Sequence, residues 1–272
     1  MRTLYVTDLD GTLLNKQSRI SENSLNIINT LIEEGIIFTY ATARSLTSAL
    51  PVTQGLSTNI PIVAYNGTFI VNPQNGEILS SLGFTAEQST YIIDILQQHA
   101  ISPLVYAFVD GIEKVSWNTQ KENDGIAYYL QQRQGDKRFR PLHSEQGLYD
   151  GEIFYISCIG DPEQLRPLYE ILSEHPDLRC TFQQEIYRPE YWCEIMPKKA
   201  TKAEGIRRLK ELLHCDKVIV FGDAANDIPM FEIADECYAV ENAAEELKSI
   251  ANDVIESNEN DGVARWLQAH IR

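Results

Sequence analysis

The sequence predicts an α/β protein in which a parallel sheet, built by alternating strands and helices, is split by an α+β insert. Three observations carry this expectation. Four short, continuously apolar runs rich in β-branched and aromatic residues, TLYVT (3–7), IIFTYAT (36–42), PIVAY (61–65) and KVIVFGD (217–223), have the pattern of strands buried on both faces. An amphipathic helical segment separates the first two. The alternation then stops after Tyr65 and resumes only near residue 200.

Taken in order, SENSLNIINTLIEEG follows the first strand, with Ser21 as N-cap, Leu25, Ile28, Leu31 and Ile32 as an apolar stripe and Gly35 as terminator. This completes a βαβ unit. TFIVNPQNGEIL reads as a hairpin turning at Asn75-Gly76, and a helix is expected from about Thr85 to His99. Up to about Arg188 the chain mixes strands (PLVYAFV, EKVSW, EIFYISCIG) with helices (TQKENDGIAYYLQQR, DPEQLRPLYEILSEH), which predicts the α+β insert. Helices TKAEGIRRLKELL, ANDIPMFEIA and AAEELKSIA then alternate with strands KVIVFGD and CYAVEN. The expected organisation is a core over 1–83 and 191–272 around an insert over 84–190.

At 272 residues the chain suits two domains better than one core, and 43% hydrophobic with 23% charged residues is the balance of an ordinary globular protein. A net charge of -16 disfavours nucleic acid and anionic membranes as partners, whereas a small phosphorylated ligand remains compatible if a metal ion or a lysine dominates the local field. The first residues lack a leader pattern, and no apolar run approaches the ~20 residues a bilayer needs. A cytoplasmic monomer or small homo-oligomer is expected. Cys158, Cys180, Cys193, Cys215 and Cys237 are widely spaced without a C-x-x-C pair, so reduced thiols are expected. The one compact basic cluster, DKRFR (136–140), reads as a solvated loop or, less simply, an anion site.

The chemistry concentrates at strand ends, where open parallel sheets bind their ligands. The first strand closes on Asp8 and Asp10, followed by Gly11. A turn accounts for Asp10-Gly11 but leaves Asp8, a carboxylate ending a buried strand, without a partner. Two such carboxylates repel, and a hard divalent cation such as Mg2+ holds both ionised. A third ligand is expected from another strand end, and FGDAAND offers Asp223 with Asn226 and Asp227 just beyond; a helix cap alone needs only one of them. Thr42 closes the second strand, where it serves either as a helix cap or as a phosphate donor. Lys202, near a helix start, is either a surface lysine or a cation aimed at a carboxylate or phosphate.

DLDGT, ATAR, TK and GDAAND, in this order, resemble the four motifs of the haloacid dehalogenase-like (HAD) superfamily, and more narrowly its Cof-type phosphatases. YNG (65–67), VENA (240–243) and DGVARWL (261–267) are further similar stretches, and together the resemblance covers about half the chain. It implies a Rossmann-like HAD core with an inserted α+β cap of the C2 type (type IIB), which closes over the site and reads the leaving group. The departure is Ala43, where the family usually has glycine; the added methyl bears on substrate fit.

The resemblance implies a Mg2+-dependent phosphatase of small phosphate monoesters, sugar phosphates first. Asp8 would attack phosphorus to form an aspartyl phosphate, and Asp10 would protonate the leaving alcohol and then activate water. Mg2+ would bind Asp8, the backbone carbonyl of Asp10 and Asp223, with Asp227 behind them. Thr42 and Lys202 would stabilise the transferring group. Asn226 would touch phosphate or orient Lys202, Asn66 and Gly67 would lie near the phosphate, and Arg44 would reach substrate or cap. Arg188, Glu190 and Glu194, near the return of the cap to the core, are candidates for reading the leaving group, or equally polar side chains that simply face solvent. The competing readings are a phosphomutase or phosphotransferase, which passes the phosphoryl group to a hydroxyl, and a non-catalytic ligand sensor.

Overall fold

The structure is a computed structural model that describes residues 1–185 and 188–271. It divides into two units: Met1–Ser81 with Lys199–Arg272, and the intervening Leu82–Lys198.

The first unit opens with β1 (Thr3–Thr7), α1 (Glu22–Glu33), β2 (Ile37–Tyr40), α2 (Leu46–Val52), β3 (Ile62–Ala64), β4 (Phe69–Val71) and β5 (Ile78–Ser81). Ser21 caps α1 by accepting from the Ser24 amide, Ile28 and Leu31 are buried beneath it, and Gly35 follows in the left-handed region at φ 103°. The βαβ unit thus forms from a capped amphipathic helix between two apolar strands.

The second unit contains α3 (Ala86–Gln98), β6 (Leu104–Val109), β7 (Ile112–Asn118), α4 (Asp124–Gln131), β8 (Phe139–Leu142), β9 (Glu152–Gly160), α5 (Pro162–Ser173), β10 (Leu178–Gln184) and β11 (Tyr191–Pro197). Its sheet has the order β10-β11-β9-β6-β7-β8 and is antiparallel except at β7 and β8. Ile92 and Leu96 of α3 and Leu165, Leu168 and Leu172 of α5 share a core with Val105, Ile156, Cys158, Cys193 and Ile195. On the opposite face, Tyr129 of α4 meets Trp192 edge-on and shares a 2.7 Å hydroxyl hydrogen bond with Tyr106.

The chain then returns to the first unit through α6 (Lys202–Leu212), β12 (Lys217–Gly222), α7 (Ile228–Ile233), β13 (Glu236–Val240), α8 (Glu245–Lys248), β14 (Asp253–Ile255) and α9 (Gly262–His270). Its main sheet, β14-β13-β12-β1-β2, is parallel throughout. No helix among the described residues is long and apolar enough to cross a membrane.

Several expectations are corrected. PIVAY is not an ordinary member of the parallel sheet: β3 touches it through a single parallel bridge, Ala41 to Val63, and otherwise pairs antiparallel with β4. The expected return to the core at residue 191 lies at Lys199, because β11 pairs with both β9 and β10. The helix expected from Thr119 starts at Asp124, since Asn118 and Asn123 cap two separate turns. DKRFR is loop only in its first half: Asp136–Arg138 turns into a strand, with Lys137 exposed, and both arginines have acidic partners. Phe139–Leu142 forms β8, Arg138 pairs with Asp136 and Glu113, and Arg140 pairs with Asp150 and the Gly147 carbonyl. All five cysteines are free, and burial pushes the Cys193 thiol up to about 12.

Candidate active site

The carboxyl ends of β1, β2 and β12 lie level, with Thr7 in register with both Tyr40 and Phe221. Each strand therefore delivers its next residues to one rim. The Asp8 amide donates to the Phe221 carbonyl at 2.9 Å, Ala41 to Thr7 at 2.9 Å and Thr42 to Val63 at 2.9 Å. Backbone pairing thus continues past the strands to the candidate site residues.

One carboxylate oxygen from each of Asp8, Asp223 and Asp227 lies within 4.8 Å of the other two. Lys202, the first residue of α6 after its cap Thr201, holds its ammonium 2.7 Å from Asp8 Oδ1 and 2.7 Å from Asp227 Oδ1. The other Asp227 oxygen accepts the Asp223 and Ala224 amides at 2.9 and 3.1 Å. Asp227 is thus a brace that holds both the lysine and the loop. Thr12 donates its hydroxyl to Asp223 Oδ1 at 2.8 Å, and Asn242 of VENA donates to the Gly11 carbonyl at 2.7 Å.

Gly11 explains why a glycine follows the second carboxylate. Its φ is 80°, and a Cβ there would stand 2.2 Å from Asp223 Oδ2. Only glycine lets the β1 loop turn and Asp223 approach together. At Gly67, φ is 95° and a Cβ would stand 1.8 Å from the Thr201 carbonyl oxygen, so the YNG turn packs against the residue that caps α6.

Three carboxylates face one ammonium. Burial pushes Asp8 up to about 7, with Asp227 adding to the effect and Lys202 and the Leu9 amide opposing it. Asp223 is also raised, first by burial, against the Thr12 hydrogen bond. Burial disfavours the Lys202 charge, but Asp8 and Asp227 outweigh it and hold the ammonium above its ordinary value. Oxygen donors in net negative excess fit a hard divalent cation, whose charge would offset the burial and the mutual repulsion that raise Asp8 and Asp223.

The remaining expected residues take other places. Asp10 turns its side chain to Arg44 instead of the acidic cluster: Arg44 Nε donates to Oδ2 at 2.7 Å and Nη2 to Oδ1 at 2.6 Å. Thr42 is buried and does not cap α2, a role taken by Ser45; its hydroxyl accepts the Arg44 amide at 3.1 Å. Ala43 is exposed and lies outside the positive-φ region, so the backbone there does not require glycine. Asn66 sits at φ 52°, its amide donating to the Thr42 carbonyl, and its buried Oδ1 accepts no hydrogen bond among the described residues. Asn226 is exposed; the orientation of Lys202 falls to Asp8 and Asp227. In the second unit Arg188 pairs with Glu190, and Glu194 accepts from Tyr155 and Thr181. The sequence reading missed Thr12 and Asn242 as site residues, although both lie inside motifs it quoted.

The profile of the family described as haloacid dehalogenase-like hydrolase matches residues 5–267. The chain is 28% identical to the 5-amino-6-(5-phospho-D-ribitylamino)uracil phosphatase YwtE of Bacillus subtilis, over 96% of this chain and 95% of that protein. The solved structure of TM0651 from Thermotoga maritima matches with a TM-score of 0.79 at 30% identity, covering 100% of this chain and 98% of that one. The HAD subclass IIB sugar phosphatase BT4131 shares the fold, with a TM-score of 0.70 at 18% identity over 99% of this chain and 98% of that one. The chain therefore belongs to the haloacid dehalogenase-like hydrolases, among their Cof-type phosphatases.

Proposed function

We propose that the protein is a Mg2+-dependent phosphatase that hydrolyses small phosphate monoesters through an aspartyl phosphate on Asp8. The observation that carries this reading is the buried Asp8 carboxylate, held at 2.7 Å by Lys202 at the level rim of three strands. A buried charge so placed is oriented and desolvated, as a nucleophile needs to be.

Mg2+ would be held by Asp8, Asp223 and the Asp10 carbonyl, with Asp227 behind them, and when bound it would neutralise charge on the carboxylate and the phosphoryl oxygens. Asp8 attacks phosphorus as the ester P–O bond breaks, and Asp10 gives its proton to the departing alcohol. Water then attacks the aspartyl phosphate, yielding its proton to Asp10 and releasing phosphate and the Asp8 carboxylate. Lys202 and the Thr42 loop, with Asn66 and Gly67, would offset charge on the transferring group. Phosphate monoester hydrolysis is so slow unaided, with accelerations of up to ~10^21 known, that nucleophile, proton shuttle and electrostatic partners must act together.

A panel of sugar phosphates, with 5-amino-6-(5-phospho-D-ribitylamino)uracil added because a relative is named for it, tests the reading. Phosphate release should require Mg2+, stop with EDTA and disappear in Asp8→Asn. Release only with an added hydroxyl acceptor, or an isomer as product, would favour a phosphotransferase or mutase instead.

A further inference from the structure

We propose that Arg44 is a positioning residue for Asp10, acting on catalysis by holding that carboxylate and not by touching substrate. The inference rests on the phosphatase reading, in which Asp10 serves the leaving group.

The two Arg44 contacts to Asp10 form a bidentate fork, one N–H to each carboxylate oxygen. Asp10 needs such a partner. Its side chain is 51% exposed, and it stands next to Gly11, whose φ of 80° marks a turn and not a regular strand. A carboxylate on an exposed turn samples several rotamers, and proton transfer to a leaving oxygen demands one of them.

Arg44 is itself tied to the frame at several points. Its amide donates to Thr42 Oγ1 at 3.1 Å, its carbonyl accepts the Tyr65 amide at 3.0 Å, and Nη1 donates to the Ser48 carbonyl at 3.3 Å. The Arg44 backbone is thereby fixed to the strand end that carries Thr42 and to the YNG turn, and its guanidinium to α2. Asp10 is aimed relative to the place where a phosphate would rest. Nε and Nη2 are spent on Asp10 at 2.7 and 2.6 Å and Nη1 on the Ser48 carbonyl at 3.3 Å, so each guanidinium nitrogen already has a protein acceptor, and a fork that keeps one arm still holds its aim while the other carboxylate oxygen works.

The test compares kcat/KM for a sugar phosphate, whose alkoxide leaves poorly, with that for para-nitrophenyl phosphate, whose phenolate leaves without a proton. Wild type, Arg44→Gln, Asp10→Asn, the double variant and Arg44→Lys are measured with Mg2+. Arg44→Gln should lower the sugar-to-aryl ratio by about tenfold or more, within the range expected for proton-transfer catalysis. The double variant should be no worse than Asp10→Asn, and Arg44→Lys, able to hold one oxygen, should recover part of the ratio. Equal losses on both substrates, or losses that multiply in the double variant, would overturn the inference and make Arg44 a substrate contact. If Arg44→Gln does not fold, Arg44→Lys decides alone: a lowered sugar-to-aryl ratio supports the role, and a ratio that is unchanged or raised removes it. Phosphate release that survives in Asp8→Asn would sink the parent reading, a result distinct from either.

Discussion

Lys202 bridges Asp8 and Asp227 with one ammonium, 2.7 Å from an oxygen of each, and all three residues are buried. Replacing it by methionine would leave buried carboxylates without their cation. Breaking a buried pair from one side costs about 3–5 kcal/mol, so Lys202→Met should lower unfolding stability by about that amount in metal-free buffer. Denaturant titration is the check, and an unchanged midpoint would contradict the arrangement.

Asp8 predicts a stability that depends on pH and on metal together. Its value in the folded protein, about 7, lies above the ordinary 3.8, so the folded state binds the proton more tightly than the unfolded one. The resulting stabilisation is present at acid pH and is lost as pH rises through the folded value. Metal-free protein should therefore melt lower at pH 8 than at pH 5.5, Mg2+ should raise the midpoint more at pH 8, and Asp8→Asn should melt no lower than wild type at pH 8. A shift of roughly 5 °C is the expected size. Calorimetry showing a larger Mg2+ effect at the acid end would reverse the sign and refute it.

Gly11 and Gly67 should fail in different ways. At Gly11 an added methyl meets the Asp223 side chain at 2.2 Å, and at Gly67 it meets Thr201 backbone at 1.8 Å. Gly67→Ala has no movable neighbour and should destabilise the fold by about 2–4 kcal/mol. Gly11→Ala can displace the Asp223 carboxylate, so its larger loss should be in Mg2+ affinity. Isothermal titration and thermal melts of the two variants separate these outcomes; identical behaviour would contradict the distinction.

Asp261 ties two helix starts together. It precedes α9 and accepts from Ser21 and Ser24 at the start of α1 and from Asn23 at 2.9 Å. Burial works against its charge, but those donors and Arg265 hold its pKa below the ordinary value. Its contribution is in place at neutral pH and fades as pH falls below 3.8. Asp261→Ala should cost about 1–3 kcal/mol at pH 7 and far less near pH 3, measured by urea titration at both. An equal cost at both would mean that packing, and not the charge, is what matters.

Periodicity exposed the central strands, because a strand buried on both faces must be apolar throughout, as TLYVT and KVIVFG are. It was silent on β8, whose sequence FRPL carries an arginine and a proline and survives as a strand only at the edge of its sheet. It also misread β3, since a three-residue apolar run does not reveal which partner it pairs with. At the site, spacing pointed to Asp8 and Asp223 because carboxylates at strand ends are costly without a cation. The Arg44 fork on Asp10 left no such trace. Its partners lie 34 residues apart on separate loops, and an arginine in a loop has many equivalent explanations until coordinates bring it to one carboxylate.

The pairing of β1 with β12 also has a consequence for how the chain is made. Thr12 and Asp223 are bonded across 211 residues, and the strands before them share a full register. During synthesis the first strand leaves the ribosome long before its inner neighbour exists, and until then β2 is its only flank within the main sheet. One apolar edge stays open for most of translation, which makes folding slow and the nascent polypeptide prone to association. A chain truncated before residue 217 would keep that edge permanently.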